Sequence, residues 1–345
     1  MRTKTLLPLV ASLALVLGAT TACGSGEQKA SASSSGSDST VELRYQGWAN
    51  QVTLPELAEA LGYLKGVKLK YVGNTISGPQ DIGAAAAGQV DFGGAFDGAV
   101  AKLIRSGSPV KAVIAYYGSD KGAYNGFYVL DSSKIRTAKD LVGKKVGVNT
   151  LGGHNEAVLD TYLLKNGLTW DQVKSVQLVP LPPPNTDQAL RAHQIDVAAL
   201  TGQFREQTLA KGGVRAVFSD SQYFGDFSAG TYIFRKDFIA KHPAAVKAFT
   251  AGVAKAIEWT KSTPHDQVIA EYTKIIEGRK RNETTSSLKY WTSAGVATKG
   301  GVIQDSDFTR WGDWLEQTGS VKKADLDVKS LYTNEFNPYA SGSAS

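Results

Sequence analysis

Short apolar runs alternate with helix-forming stretches from Val41 to Leu200, and they do so in two successive cycles. In the first cycle, 41–45, 67–72, 91–95 and 110–117 read as strands. The stretches 54–65, 81–87 and 99–105 read as the helices between them. The second cycle runs helix 138–141, strand 145–148, helix 156–166, strand 176–179, helix 187–193 and strand 195–200. Strands separated by helices need crossover connections, which predicts α/β architecture with largely parallel sheets. A short echo supports two equivalent units. Gly88-Gln89-Val90-Asp91 ends one alanine-rich helix and opens an apolar strand, and His193-Gln194-Ile195-Asp196 does the same before Val197-Ala198-Ala199.

Beyond Tyr232 the pattern turns helical. Pro243 suits a first helical position, and Val246, Phe249, Val253 and Ile257 follow at intervals of three to four. A second helix is expected from Pro264, capped by Thr263, through Ile276, and a third over 307–317 with Phe308, Trp311 and Trp314. One core rarely grows beyond about 250–300 residues, so two lobes are expected. With passages between them near Leu130-Asp131 and Gly230-Thr231, lobe 1 comprises 41–130 plus 232–340 and lobe 2 comprises 131–231.

Both ends of the chain have a different character. Arg2 and Lys4 precede an apolar run over 6–18, too short to span a ~30 Å hydrocarbon layer, followed by small residues and the only cysteine, Cys23. Residues 1–22 therefore read as an export signal. The stretch 23–40, nearly all Gly, Ser, Ala and charge, reads as a flexible tether, and 341–345 as a second disordered tail. A lone cysteine excludes an internal disulfide framework and thiolate-bound zinc. The net charge of +6 falls to +4 once Arg2 and Lys4 leave with the signal, too little to argue for a polyanion.

Motifs for chemistry are scarce. No GxxxxGK[ST], GxGxxG, GxSxG or HExxH is present, and the four histidines are isolated, so no cofactor, metal site or catalytic residue is expected. Arg279-Lys280-Arg281 reads as a solvated face rather than a nucleic-acid patch. What stands out is a set of turns rich in Gly, Ser and Asn where strands meet helix starts: 46–50, 74–79, 94–98 and 149–154. In open α/β sheets ligands collect at the carboxyl ends of strands. Helix starts there offer unpaired amides and partial positive charge, which suits a small anion. These turns alternatively serve only to cap helices and reverse the chain. Within them, Trp48 either stacks on a ligand or fills the crevice. His154 either donates to an anion or sits beside a cap. Asp97 either caps its helix or bonds a ligand amine. One of Tyr116 and Tyr117 is expected to face the cleft, and Tyr232 is placed at ligand or hinge.

Several segments, in their order and spacing, resemble one family. They are Ser77-Gly78-Pro79-Gln80-Asp81, Gly88-Gln89-Val90-Asp91-Phe92-Gly93, Leu141-Val142-Gly143-Lys144-Lys145-Val146-Gly147-Val148, Asn149-Thr150-Leu151-Gly152-Gly153, Gly167-Leu168-Thr169, Gln194-Ile195-Asp196-Val197-Ala198 and Lys241-His242-Pro243. The chain resembles solute-binding lipoproteins of ABC importers, in the branch of nitrate, taurine and aliphatic sulfonate binders and thiamine-pyrimidine-synthesis-like domains. The resemblance implies a type II periplasmic-binding-protein fold, two αβ lobes joined by two crossovers with a C-terminal helical set. It implies a monomer held at the outer face of the cell membrane by lipid on Cys23, delivering a small anionic solute to a permease and its cytoplasmic ATPase. A neutral pyrimidine or a sensor role on the same fold is the alternative. Carried over by position, ligand contacts fall on Gln46, Trp48, Asn50, Ser77, Gly78, Phe96, Asp97, Leu151, Gly152, Gly153, His154 and Gln203. Tyr117 and Tyr232 join them from the reading of the strands.

Overall fold

The computed structural model describes residues 40–340. The expected signal, Cys23, nearly all of the tether and the tail at 341–345 lie outside the described residues. Among the described residues no helix is long and apolar enough to cross a membrane.

Ten strands among the described residues form the sheets: β1 (Val41–Gly47), β2 (Val67–Asn74), β3 (Phe92–Phe96), β4 (Val110–Ser119), β5 (Gly126–Leu130), β6 (Lys145–Val148), β7 (Gln177–Pro180), β8 (Val197–Leu200), β9 (Val214–Ser219) and β10 (Phe227–Arg235). One ladder runs β7-β6-β8-β5-β9, a second β3-β10-β4, and β1 pairs with β2 in parallel. The Asp91 amide just ahead of β3 donates to the Arg44 carbonyl of β1 at 2.9 Å, which sets β1 beside β3. The first lobe thus runs β2-β1-β3-β10-β4, the same order as the second. In each lobe the antiparallel member is the strand arriving from the other lobe: β10 between β3 and β4, β5 between β8 and β9.

The short echo in the sequence has a structural cause. Asp91 Oδ2 accepts from the Arg44 amide at 2.7 Å, and Asp196 Oδ2 accepts from the Lys145 amide at 2.9 Å. Each aspartate also donates its own amide back, to the Arg44 and Lys145 carbonyls. The residue three positions earlier, Gly88 or His193, takes positive φ (74° and 57°), so both corners turn identically before the strand. This clamp ties the start of β3 to β1 and the start of β8 to β6. It is one device used twice.

Thirteen α-helices among the described residues complete the fold. The first lobe carries α1 (Leu54–Ala60), α2 (Gly78–Ala86) and α3 (Asp97–Arg105) between its strands. The second carries α4 (His154–Lys165), α5 (Trp170–Lys174), α6 (Thr186–Arg191), α7 (Gly202–Lys211) and α8 (Asp220–Phe224). The carboxy-terminal set is α9 (Lys236–Lys241), α10 (Pro243–Ser262), α11 (His265–Gly278), α12 (Asp305–Thr309) and α13 (Gly312–Gln317). The expected stripe on α10 is buried: Val246, Phe249, Val253 and Ile257 are all fully covered. Phe249 packs 4.6 Å from Phe92 and 5.1 Å from Phe234. Each such side chain contributes roughly 1.5–3 kcal/mol by leaving water.

Four expectations change. The passages between sheets run through 120–125 and 220–226, ahead of Leu130-Asp131 and Gly230-Thr231, because Leu130 ends β5 and Gly230 lies inside β10. Lobe limits at 130/131 and 231/232 would therefore sever strands from their ladders. The single helix expected over 307–317 is two short ones, broken where Trp311 leaves helical geometry (φ −97°, ψ 2°) and buries its indole among Phe96, Phe224 and Phe227. β5, β9 and β10 escape the expected strand set. The Arg279–Arg281 run is not a solvated face. Arg279 forms two bonds of 3.0 Å to Glu56 and pairs with Glu283 at 2.6 Å, while Arg281 reaches Glu56 at 2.9 Å. Those partners sit more than 220 residues from Arg279 and Arg281 in the case of Glu56, out of reach of local reading.

Candidate functional site

A cleft of about 280 Å³ opens where the carboxyl ends of strands from both lobes meet. Its first-lobe side is aromatic, with Trp48, Phe96, Tyr116, Tyr117, Tyr232 and, from the carboxy-terminal set, Tyr272 and Trp291. Its second-lobe side is more polar, with Asn125, Asn149, Thr150, Asn155, Thr201 and Gln203 beside the apolar Pro183 and Phe204. Among the described residues no Lys, Arg, Asp or Glu lines it.

The aromatic floor rests on glycine. Gly94 of β3 faces Tyr232 of β10 across the ladder, and a Cβ there would lie 2.7 Å from the Tyr232 ring and 2.8 Å from Tyr116. Lacking that carbon, the two rings stack at 4.1 Å, 21° apart, directly on the sheet. Gly230 does the same beneath Tyr117, whose ring meets Tyr116 edge-on at 4.9 Å. Glycine inside a strand marks close approach. Here a ring approaches the backbone, where sequence suggested a ligand. Burial pushes the phenols of Tyr116, Tyr117 and Tyr232 well above their ordinary range, so the floor carries no charge at neutral pH.

The second-lobe side is built from helix starts. α4 begins after Gly153 and α7 after Thr201, and neither has a side-chain cap. The first-turn amides of a helix have no intrahelical acceptor, so both ends present donors and partial positive charge to the cleft. By contrast α1, which also borders the cleft through Thr53 and Leu54, closes its start with a Thr53–Glu56 capping box.

His154 opens α4 and lines the cleft, yet it is a buried neutral ring. Burial, reinforced by Arg310, pushes its pKa down to about 3. Its Nδ1 lies 2.8 Å from the Asn125 side-chain amide and its Nε2 lies 3.6 Å from Asp220 Oδ2. Phe96 stacks on the ring at 5.3 Å. Both nitrogens face the interlobe passages, so the expected donation from His154 to an anion is not the arrangement found. Asp220 links those passages: its carboxylate accepts from Ser119 Oγ at 3.2 Å and from the Asn125 amide at 3.0 Å, and burial raises its pKa to about 7.

Of the residues expected to touch ligand, Trp48, Gly78, Phe96, Tyr117 and Tyr232 line the first-lobe side, and Gly153, His154 and Gln203 the second. The others lie elsewhere. Gln46 is half-buried on β1. Ser77 caps α2, accepting from the Gln80 amide at 3.3 Å. Asp97 is fully buried beside Thr231, Asp307 and Arg310; burial pushes its pKa well above the ordinary carboxylate range, and it neither caps α3 nor lines the cleft. Leu151 is 53% exposed, and the Gly152 amide donates to the Glu156 carboxylate at 2.6 Å.

Asn50 holds the loop in place. At φ 61° it donates its amide to Glu283 at 2.7 Å and accepts from Thr284 at 2.9 Å. Its carbonyl receives Gln203 Nε2 at 3.1 Å, and the same amide group donates to Ser287 Oγ at 2.8 Å. Gln203 thus fastens α7 to the opposite lobe across the cleft. Tyr272, Trp291 and Ser293 also line the cleft and were not legible beforehand, since only folding brings 272–294 to it, and Asn125 reaches it from the passage between β4 and β5.

Known proteins agree with this architecture. The chain is 27% identical over 257 residues to the taurine-binding periplasmic protein of Escherichia coli (strain K12), covering 73% of each. The periplasmic aliphatic sulphonate binding protein SsuA from Escherichia coli superposes with a TM-score of 0.65 at 20% identity, over 85% of this chain and 92% of that one. The desulfurization enzyme DSZB does so at 0.55 and 16% identity, over 86% and 97%, so the fold by itself serves both binding and catalysis. Residues 52–267, which carry most of both cleft walls, match the family described as NMT1/THI5 like, and the chain belongs to that family.

Proposed function

We propose that this chain is the extracytoplasmic solute-binding subunit of an ABC importer, a monomer held to the membrane by lipid on Cys23, that captures a small organic acid and presents it to a permease. The carrying observation is the pair of uncapped helix starts, α4 and α7, directed at one cleft that Gln203 spans. An acid headgroup satisfies those amides without a basic side chain, as anions do at helix N-termini. The lobes, 41–119 with 227–340 and 120–226, close on it, and contacts from both sides favour the closed state. Binding without turnover fits a cleft whose one histidine is neutral and held by Asn125. The family's taurine-binding relative supports the reading.

A neutral heterocycle is the second reading, favoured by the uncharged lining. A thermal-shift panel of sulfonates, carboxylates, nitrate and pyrimidines separates the two. A ligand at 100 times its Kd adds about 2.7 kcal/mol. Thr201→Asp gives α7 the cap it lacks, because Asp is a preferred N-cap. It is expected to keep or raise stability while abolishing acid binding. Unchanged acid affinity in that variant would refute the helix-start site.

A further inference from the structure

Resting on the solute-binding reading, we infer that the solute has an aromatic body that lies on the tyrosine floor, with its polar head toward α4 and α7. The floor is built into the backbone. Gly94 and Gly230 occupy strand interiors, where glycine destabilises, and at both positions a Cβ would collide with a cleft tyrosine. What the absent carbons create is a flat ring surface, Tyr116 on Tyr232 at 4.1 Å with Tyr117 edge-on. Trp291, edge-on to Tyr272 at 5.3 Å, and Trp48 wall the same space. The corresponding residue of the other lobe, counting from the paired aspartates, is Ala199, and that side of the cleft presents one aromatic carbocycle, Phe204, among mostly amide and hydroxyl groups.

Size points the same way. A water takes about 30 Å³ of liquid, so a four-atom anion leaves most of a cavity of about 280 Å³ filled with water over apolar rings. A six-membered ring carrying its headgroup takes up far more of it and meets Tyr116, Tyr232 and Trp291 in the offset and edge-on geometries that aromatic pairs prefer.

The test is calorimetric titration of the full chain with two matched pairs: benzenesulfonate against ethanesulfonate, and benzamide against propanamide. The expected result is about tenfold or greater preference for the aromatic member in at least one pair. Trp291→Leu, at the half-buried lip, is expected to bring that ratio below about threefold by weakening the aromatic member more than the aliphatic one. Tyr232→Leu serves as the second variant, with circular dichroism checking its fold. Aliphatic members binding as tightly as aromatic ones overturn the floor's role and leave solute binding standing. A wild-type preference that survives both folded variants overturns it as well. No binding by any of the four compounds overturns the aromatic-body inference, while solute binding stands or falls on the thermal-shift panel.

Discussion

The two lobes share a strand order and an aspartate clamp, yet they face the cleft with different chemistry, the first mainly aromatic and the second mainly polar. Counting from Asp91 and Asp196, Gly94 of β3 corresponds to Ala199 of β8. In the first lobe the missing Cβ admits two tyrosine rings to the sheet; in the second the methyl stays, buried. One duplicated frame thus carries a tyrosine floor on one side, where the start of α3 is also uncapped, and the uncapped starts of α4 and α7 on the other. The clamp is common to both lobes, while the residue three positions beyond it is glycine under the rings in one and alanine in the other.

Gly94→Ala should be the most damaging way to break this asymmetry. Forcing a carbon to 2.7 Å from Tyr232 overpacks the floor by up to about 3 kcal/mol, and displaced rings fill the cleft. Urea unfolding and ligand titration should both register it, whereas Ala199→Gly should cost no more than about 1 kcal/mol.

Next in size is a pH effect at the seam between the lobes. Trp314 Nε1 of α13 donates to Asp160 Oδ2 of α4 at 2.9 Å, and burial raises the Asp160 pKa to about 7. The unfolded chain releases that proton near 3.9, so Asp160 makes stability fall as pH rises from about 4 to 7. His154 acts in the opposite sense, adding stability between about 3 and 6.5. Asp160→Asn keeps an acceptor for the indole and removes the falling contribution, at most about 1.4 kcal/mol per pH unit. Thermal melts of variant and wild type should diverge from pH 4.5 to 7 and run parallel above. Parallel curves throughout would mean that Asp160 is ionised in the folded protein.

The clamps themselves can be compared. Asp91 is buried and also binds the Arg44 guanidinium at 2.7 Å, whereas Asp196 is exposed and bonds only backbone. Asp91→Ala should cost about 2 kcal/mol and Asp196→Ala less than about 1, since water replaces the exposed acceptor. Equal losses would show that burial does not distinguish the two copies. Smallest is Gln203→Ala, which removes both bonds across the cleft. It should weaken binding about fivefold to tenfold and enlarge the radius of gyration in solution scattering, with little change in melting temperature.

Much of the fold was readable because its signals are local. Alternation marks β1 and β2, and the two Gln-containing corners mark β3 and β8. β10 was not readable, since FSAGTYIFR is buried along nearly its whole length and lacks alternation. Phe308, Trp311 and Trp314 sit three apart and imitate one helix. In the site, the turns at strand ends were legible. Trp291 and Tyr272 were not, because they reach the cleft from a distant segment, nor was the purpose of Gly94, which depends on a tyrosine one strand away. Arg279 looked solvated for the same reason: Glu56 is its partner only after folding.

The ladder pair joining Ser119 to Phe227 means that the whole intervening stretch enters and leaves the first lobe at two directly opposed residues. Residues 120–226 behave topologically as a cassette spliced into a hairpin. Exchange of that cassette for its counterpart from a relative would graft a new set of helix starts onto an unchanged ring floor, offering a route to chimeric binders of altered headgroup preference.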